Sequence, residues 1–190
     1  MNRRQYTLSI AIALFALVVM ACTCSMPKVS GPMPKATVPI SRDAAERMRK
    51  KIDQAMSQSK SDGQFRFTVT DAELSSYLVE EILKSRDQGN EVPLVNPQVK
   101  FTQGQAWVYA TFVAGSTKIN GLLVVLPQVE NGQLKIKITR ADFGLVGVPK
   151  PLLDQMNEQI QTSADEQTSD ITLTSIVIRE GEADVTGKRK

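Results

Sequence analysis

The sequence predicts an α+β domain, a curved antiparallel sheet made of a meander and a C-terminal hairpin, packed against about three helices. Three observations predict it. Apolar residues recur at spacings of three and four in three separate stretches, while most of the remaining chain alternates at a spacing of two. Turn dipeptides, above all Asn131-Gly132, divide the alternating runs. The chain of 190 residues, 42% hydrophobic and 23% charged, fits one domain of ordinary size plus a short extra segment.

The extra segment is N-terminal. "MNRRQYTLSIAIALFALVVMACTCSMP" has Arg3 and Arg4, then an apolar run of about 15 residues from Thr7 to Ala21, short of the roughly 20 that span a bilayer. This is the layout of a secretory signal. Val19 to Cys22 has the form of a lipoprotein box, with an aliphatic residue three before the cysteine and a small one directly before it; Met20 departs from that form. The leader reads as a signal cut before a lipidated Cys22, as an uncleaved anchor, or as the signal of a secreted protein. The first two place the domain at a cell membrane, facing away from the cytoplasm. The chain's two cysteines, Cys22 and Cys24, both lie here, so no disulfide framework belongs to the domain. Residues 22–40 carry Pro27, Pro32, Pro34 and Pro39 among small residues, which reads as an extended tether. The alternative is a segment packed along the domain, which itself occupies 41–190.

Ser41 is placed to cap a helix over "RDAAERMRKKIDQAMSQSK", with Ala45, Met48, Ile52 and Met56 as its apolar stripe. "GQFRFTVT" alternates as a half-buried strand, with Phe65, Phe67 and Val69 on one face. Thr70 and Glu73 have capping-box spacing for a second helix, whose stripe is Leu74, Tyr77, Leu78 and Ile82. From Asn96 to Phe143 the pattern is a meander of about four strands. In "QLKIKITRADF", Leu134, Ile136 and Ile138 alternate with polar residues; in "WVYATFV" and "LLVVL" both alternating sets are apolar. Those middle strands are expected to be covered on both faces, or to line a cavity with one. Leu152, Leu153, Met156 and Ile160 mark a third helix after the "GLVGVPKP" corner. The closing hairpin changes phase near Ser175, which predicts a bulge.

Chemistry is scarce. There is no histidine, which removes the commonest acid–base group and metal ligand. Net charge is +3, and Arg3 and Arg4 in the leader supply most of it, so no field for nucleic acid is expected. Asp142-Phe143-Gly144 has the form of the kinase magnesium motif. A glycine-rich lid and a His-Arg-Asp loop are both missing, so phosphoryl transfer is not supported. Nucleophile elbow, P-loop, zincin and Cys-x-x-Cys patterns are absent too. Ser57-x-x-Lys60 lacks companion motifs. Glu80, Glu81 and Asp142 are the carboxylates available for hydrolytic chemistry, and Asp142 is expected to pair with Arg140 instead. Residues 163–170 lack the glycine of a calcium loop. The expectation is a protein that is not an enzyme, with no cofactor and no metal.

Three stretches, "FTVTDAELSSYL", "VENGQLKIKITRADFG" and "GLVGVPKPLLDQM", resemble the YpmS-like family of bacterial membrane-anchored extracytoplasmic proteins. More distantly, the chain is similar to LmeA-like envelope lipid-binding proteins. The likeness covers residues 65–188. A lipoprotein box at Cys22 departs from the family's plain N-terminal helix. The resemblance implies a fold related to tubular lipid-binding domains, in which a curled sheet wraps a helix around an apolar groove. On that reading the groove between sheet and helices holds an acyl or polyprenyl-like lipid. Trp107, Tyr109, Phe112, Leu123, Val125, Phe143, Leu145, Leu152 and Met156 are its expected lining. The rival reading is an envelope interaction protein without a ligand.

Overall fold

A computed structural model describes residues 38–190 except 62, 90, 91, 93, 115, 116 and 145. The leader, Cys22 and most of the proline-rich segment lie outside the described residues, as does the expected lining residue Leu145. The described residues form three helices, α1 (Arg42–Ser61), α2 (Asp71–Asp87) and α3 (Lys150–Gln167), and eight strands. These are β1 (Gln64–Thr70), β2 (Leu94–Thr102), β3 (Gln105–Ala114), β4 (Thr117–Glu130), β5 (Gln133–Phe143), β6 (Val146–Gly147), β7 (Ile171–Arg179) and β8 (Glu182–Arg189). The α+β class is as expected. The single sheet is not: the meander forms a five-stranded sheet in the order β2-β3-β4-β5-β6, and the terminal hairpin joins β1 in a separate sheet, β1-β8-β7.

Local signals explain most of the elements. Ser41 Oγ accepts the Ala44 N–H at 3.2 Å and starts α1. The Thr70–Glu73 capping box forms: Glu73 N–H donates to Thr70 Oγ1 at 3.3 Å and Thr70 N–H to Glu73 Oε2 at 3.1 Å. Asn131 and Gly132, at φ 53° and 79°, make the two-residue turn between β4 and β5. Gly132 also docks on the second sheet, accepting the Leu173 N–H at 2.8 Å beside the β7 bulge that separates Leu173 from Ser175. A second bulge sits in β5. Val124 pairs with Arg140 and Val125 with Ile138, which leaves Thr139 over and turns both Ile138 and Ala141 inward.

The sheets meet through Val69 and Ala183 on one side and Val99, Phe101 and Ala106 on the other, with Met48 of α1 completing the cluster. Met156 of α3 packs on Leu123, Ile138 and Ala141 of the larger sheet. The helices do not simply cover one side. Two of them close the edges of the larger sheet with side chains. On β2, Ser75 Oγ accepts the Val99 N–H at 2.7 Å and donates back to Val99 O at 3.3 Å. One turn earlier, Asp71 Oδ1 accepts the Phe101 N–H at 2.7 Å. On β5, the Asn157 amide takes the Ile138 N–H at 2.5 Å and gives to Ile138 O at 3.1 Å. One turn later, Gln161 takes the Ile136 N–H at 3.0 Å and gives to Leu134 O at 2.9 Å.

The match is geometric. Four residues of helix rise about 6 Å and two residues of strand about 6.8 Å, so a helical i,i+4 pair can serve successive outward backbone positions of a strand. It also explains an unexpected burial. The expected apolar stripe of α2 is only half-buried, and the residues fully enclosed are Glu73, Ser75 and Ser76. The small hydroxyls let the helix lie close against β2, and Ser76 Oγ accepts the Ser41 N–H of the α1 cap at 3.1 Å.

This edge closure is testable. Asn157→Leu strands the N–H and C=O of Ile138, a residue only 1% exposed. An unpaired buried polar group costs about 1–3 kcal/mol. Urea unfolding should show a loss of that size, whereas Glu158→Ala, one residue away on the exposed side, should stay within about 0.5 kcal/mol of the parent.

Candidate functional site

Register assigns every side chain of the larger sheet to one face, because residues directly opposite one another share a face. Ala106, Val108, Ala110 and Phe112 of β3 lie across from Val125, Leu123, Gly121 and Ile119 of β4, and these continue to Ile138, Ala141 and Phe143 of β5. This is the inner face. Leu123 and Met156 are packed core there, with Val125, Phe143 and Leu153 around them. Phe112 and Phe143 meet edge to face, ring centroids 4.9 Å apart, directly over Gly121. A Cβ on Gly121 would come within 2.6 Å of Phe112 and 2.9 Å of Phe143, so only glycine provides the floor beneath that pair.

Trp107 and Tyr109 are on the opposite face. The nine expected lining residues therefore do not line one groove: Phe112, Leu123, Val125, Phe143 and Met156 belong to the inner packing, and Trp107 and Tyr109 point away from it. Strand alternation is the reason, since 107 and 109 differ in parity from 112. Leu152 is half-buried on α3, outside the cluster that Leu153 joins.

The outer face has an order of its own. One cross-strand row runs Lys100, Trp107, Val124, Arg140; the next runs Gln98, Tyr109, Leu122, Asp142. Each row is polar at both ends and apolar in its two central places. The central four residues form a cluster whose apolar members, among the described residues, come from β3 and β4 alone. The Trp107 and Tyr109 rings lie 6.4 Å apart at 56°, and the indole N–H donates to Gln105 Oε1 at 3.1 Å. Burial pushes the Tyr109 hydroxyl above the ordinary phenol range, against the pull of Arg140. Thr111 and Asn120, hydrogen-bonded at 2.9 Å, make the adjacent polar row.

The candidate catalytic groups are engaged in ion pairs. Arg140 Nε lies 2.6 Å from Asp142 Oδ2, the pair expected from the sequence. Asp142 also faces Gly147 across the short β5–β6 ladder, so the kinase-like tripeptide is a strand end. Arg49 binds both Glu80 and Glu81 and lies over the Tyr77 ring. An open groove of about 390 Å³ between α1 and β1 is lined by Lys51, Gln54, Gln58, Arg66, Phe67 and neighbours, none of them an expected lining residue. Among the described residues, no three His, Cys, Asp or Glu side chains gather as a metal set.

The ionic cluster beside that groove makes a prediction. Burial pushes the Glu73 carboxyl up, but the hydrogen bond from Lys51, 2.7 Å away, and the Thr70 N–H outweigh it, and its pKa lies below the ordinary range. A lowered carboxylate pKa contributes stability that is fully present above the unfolded pKa, about 4.3, and is lost as pH falls through the folded one. The stability gap between the parent and Glu73→Gln should therefore be widest near neutral pH and close below about pH 4, read from denaturant midpoints across a pH series. A gap that stays constant with pH would contradict the assigned titration. Against known proteins, no family model matches the chain and no curated protein matches it in sequence.

Proposed function

We propose that this chain is a non-catalytic binding protein, held at the outer side of a membrane by its N-terminal segment, and that it takes an apolar, lipid-like ligand. The observation that supports this most is the block of Trp107, Tyr109, Leu122 and Val124, an apolar cluster framed by polar residues on a sheet whose other face is already packed, with Trp107 half-buried and the other three buried. Two aromatic and two aliphatic side chains give a flat surface along which an acyl chain can lie, while the indole N–H and phenol O–H keep polar ends at its margin. Lys100 and Arg140 close the two ends of one row, each in an ion pair, with Glu180 at 3.8 Å and Asp142 at 2.6 Å. The leader puts such a domain where lipid is at hand. The inner face supports the reading less well, because Met156 and Leu123 fill the space between α3 and the sheet. Hydrolytic or phosphoryl-transfer chemistry draws no support from Glu80, Glu81 and Asp142, each held in an ion pair.

Native mass spectrometry on the full chain, released from membranes in mild detergent, tests the proposal. A bound acyl lipid should appear as added mass that disappears on denaturation, which separates it from any lipid attached covalently at Cys22. Trp107→Ala should raise the apparent dissociation constant about tenfold in a lipid titration, the effect of losing roughly 1.4 kcal/mol of binding. Bare protein mass from a sample with an intact fold would overturn the ligand and favour an interaction protein without one.

A further inference from the structure

The smaller sheet ends at β1, and the ladder bonds show which backbone groups its edge presents. Asp71 N–H donates to Gly181 O at 3.0 Å and Arg189 N–H to Gly63 O at 3.1 Å, so at both ends of β1 the odd-numbered residues bond towards β8. In an antiparallel pair the N–H and C=O of one residue point the same way, and those of the next point oppositely. Gln64, Arg66, Thr68 and Thr70 therefore turn their backbone groups away from β8. Two side chains mark that direction: Lys51 Nζ donates to Thr68 O at 2.8 Å, and Glu73 Oε2 accepts the Thr70 N–H at 3.1 Å. They close the Thr70 end of the edge. Towards Arg66 the edge opens on the groove of about 390 Å³ between β1 and α1. Gln54 and Gln58 line its helix wall, at the same i,i+4 spacing as the Asn157–Gln161 pair that takes the backbone of β5. Its two charged lining residues, Lys51 and Arg66, are both cations. The Arg66 side chain is 72% exposed and holds Asp184 loosely, at 3.7 Å, because Arg179 at 2.5 Å and the Thr68 hydroxyl already take that carboxylate.

We infer that this groove docks an extended, acidic peptide segment of a partner protein, which adds to β1 as a further strand. A peptide backbone supplies both the donors and the acceptors that match the outward N–H and C=O of Arg66 and the outward N–H of Thr68. The amides of Gln54 and Gln58 each carry a donor and an acceptor, and serve the peptide as Asn157 and Gln161 serve β5. A residue directly opposite Arg66 shares its sheet face, so a glutamate or aspartate there meets the guanidinium. The alternate residues turn to the face of Phe67, where α1 packs, and are apolar. An acyl chain offers no partner to these backbone groups. A folded edge from a second copy of the chain needs more room than a groove walled on one side by α1. The site belongs to the smaller sheet and not to the face that bears Trp107, so peptide binding here and lipid binding there can each fail alone.

Fluorescence anisotropy tests the docking, with a labelled short peptide that alternates valine and glutamate titrated with the lipid-stripped full chain. Saturable binding is expected. The same peptide with lysine in place of glutamate should bind about tenfold more weakly, and the fully N-methylated glutamate peptide should not bind, because strand pairing needs its N–H groups. Arg66→Glu, at an exposed position, should leave the far-UV spectrum unchanged and reverse the preference in favour of the lysine peptide. Absence of saturable binding, equal binding of the N-methylated peptide, or a preference untouched by Arg66→Glu would each overturn the inference. Sedimentation of the free chain covers the rival occupant: a dimer that Arg66→Glu dissolves would assign the edge to a second copy and overturn the partner peptide.

Discussion

A meander has two edges, and here side chains of α2 and α3 satisfy exposed backbone positions on both. An open edge presents unpaired N–H and C=O groups, which invite another strand. Asp71 and Ser75 of α2 occupy that position on β2, and Asn157 and Gln161 of α3 occupy it on β5. Both pairs are spaced i,i+4, and both helices run antiparallel to the strand they seal. Each contact is an ordinary hydrogen bond, but together they fix where two helices lie. That position brings Met156 onto Leu123 and Ile138, and Leu74, Tyr77 and Leu78 against the cluster around Phe101.

Placing helices at the edges leaves the outer sheet face without one among the described residues. A sheet with apolar residues on both faces then needs something else over the outer one. The cross-strand rows limit the size of that need. Lys100, Gln98, Arg140 and Asp142 make the β2 and β5 ends of these two rows polar, so within them only the β3–β4 centre is apolar. A narrow strip two strands wide suits an extended chain, whether peptide or acyl, better than a folded partner.

The sequence made the helices legible through their apolar spacing, and Ser41, Thr70 and Glu73 marked the ends of two of them. The Asn131-Gly132 hairpin and the Ser175 bulge were also legible, because both are local. The division into two sheets was not, since β1 and β8 pair across more than a hundred residues and nothing local records a partner. The edge seals were hidden for another reason. Ser75, Ser76, Asn157 and Gln161 are polar residues on helices, and periodicity assigns such residues to the wet side. The candidate site failed on parity. "WVYATFV" announces two apolar faces, and residues from both were assigned to one groove, although 107 and 109 cannot share a face with 112 in a regular strand.

Asp142-Phe143-Gly144 shows how alternation divides neighbouring residues between two tasks. Asp142 points outward and ends the row that begins at Gln98 and contains Tyr109, with Arg140 beside it. Phe143 points inward and stands against Phe112 over Gly121, on the packed side. Gly144, at φ 67°, turns the chain back so that Val146 and Gly147 pair with the two residues before it. The Thr139 bulge makes this possible. Without the extra residue Phe143 would fall on the outer face and Asp142 on the inner one, placing a carboxylate against Gly121 and an aromatic ring in the polar frame. One residue of register in β5 therefore decides both the core under α3 and the polar boundary of the outer site.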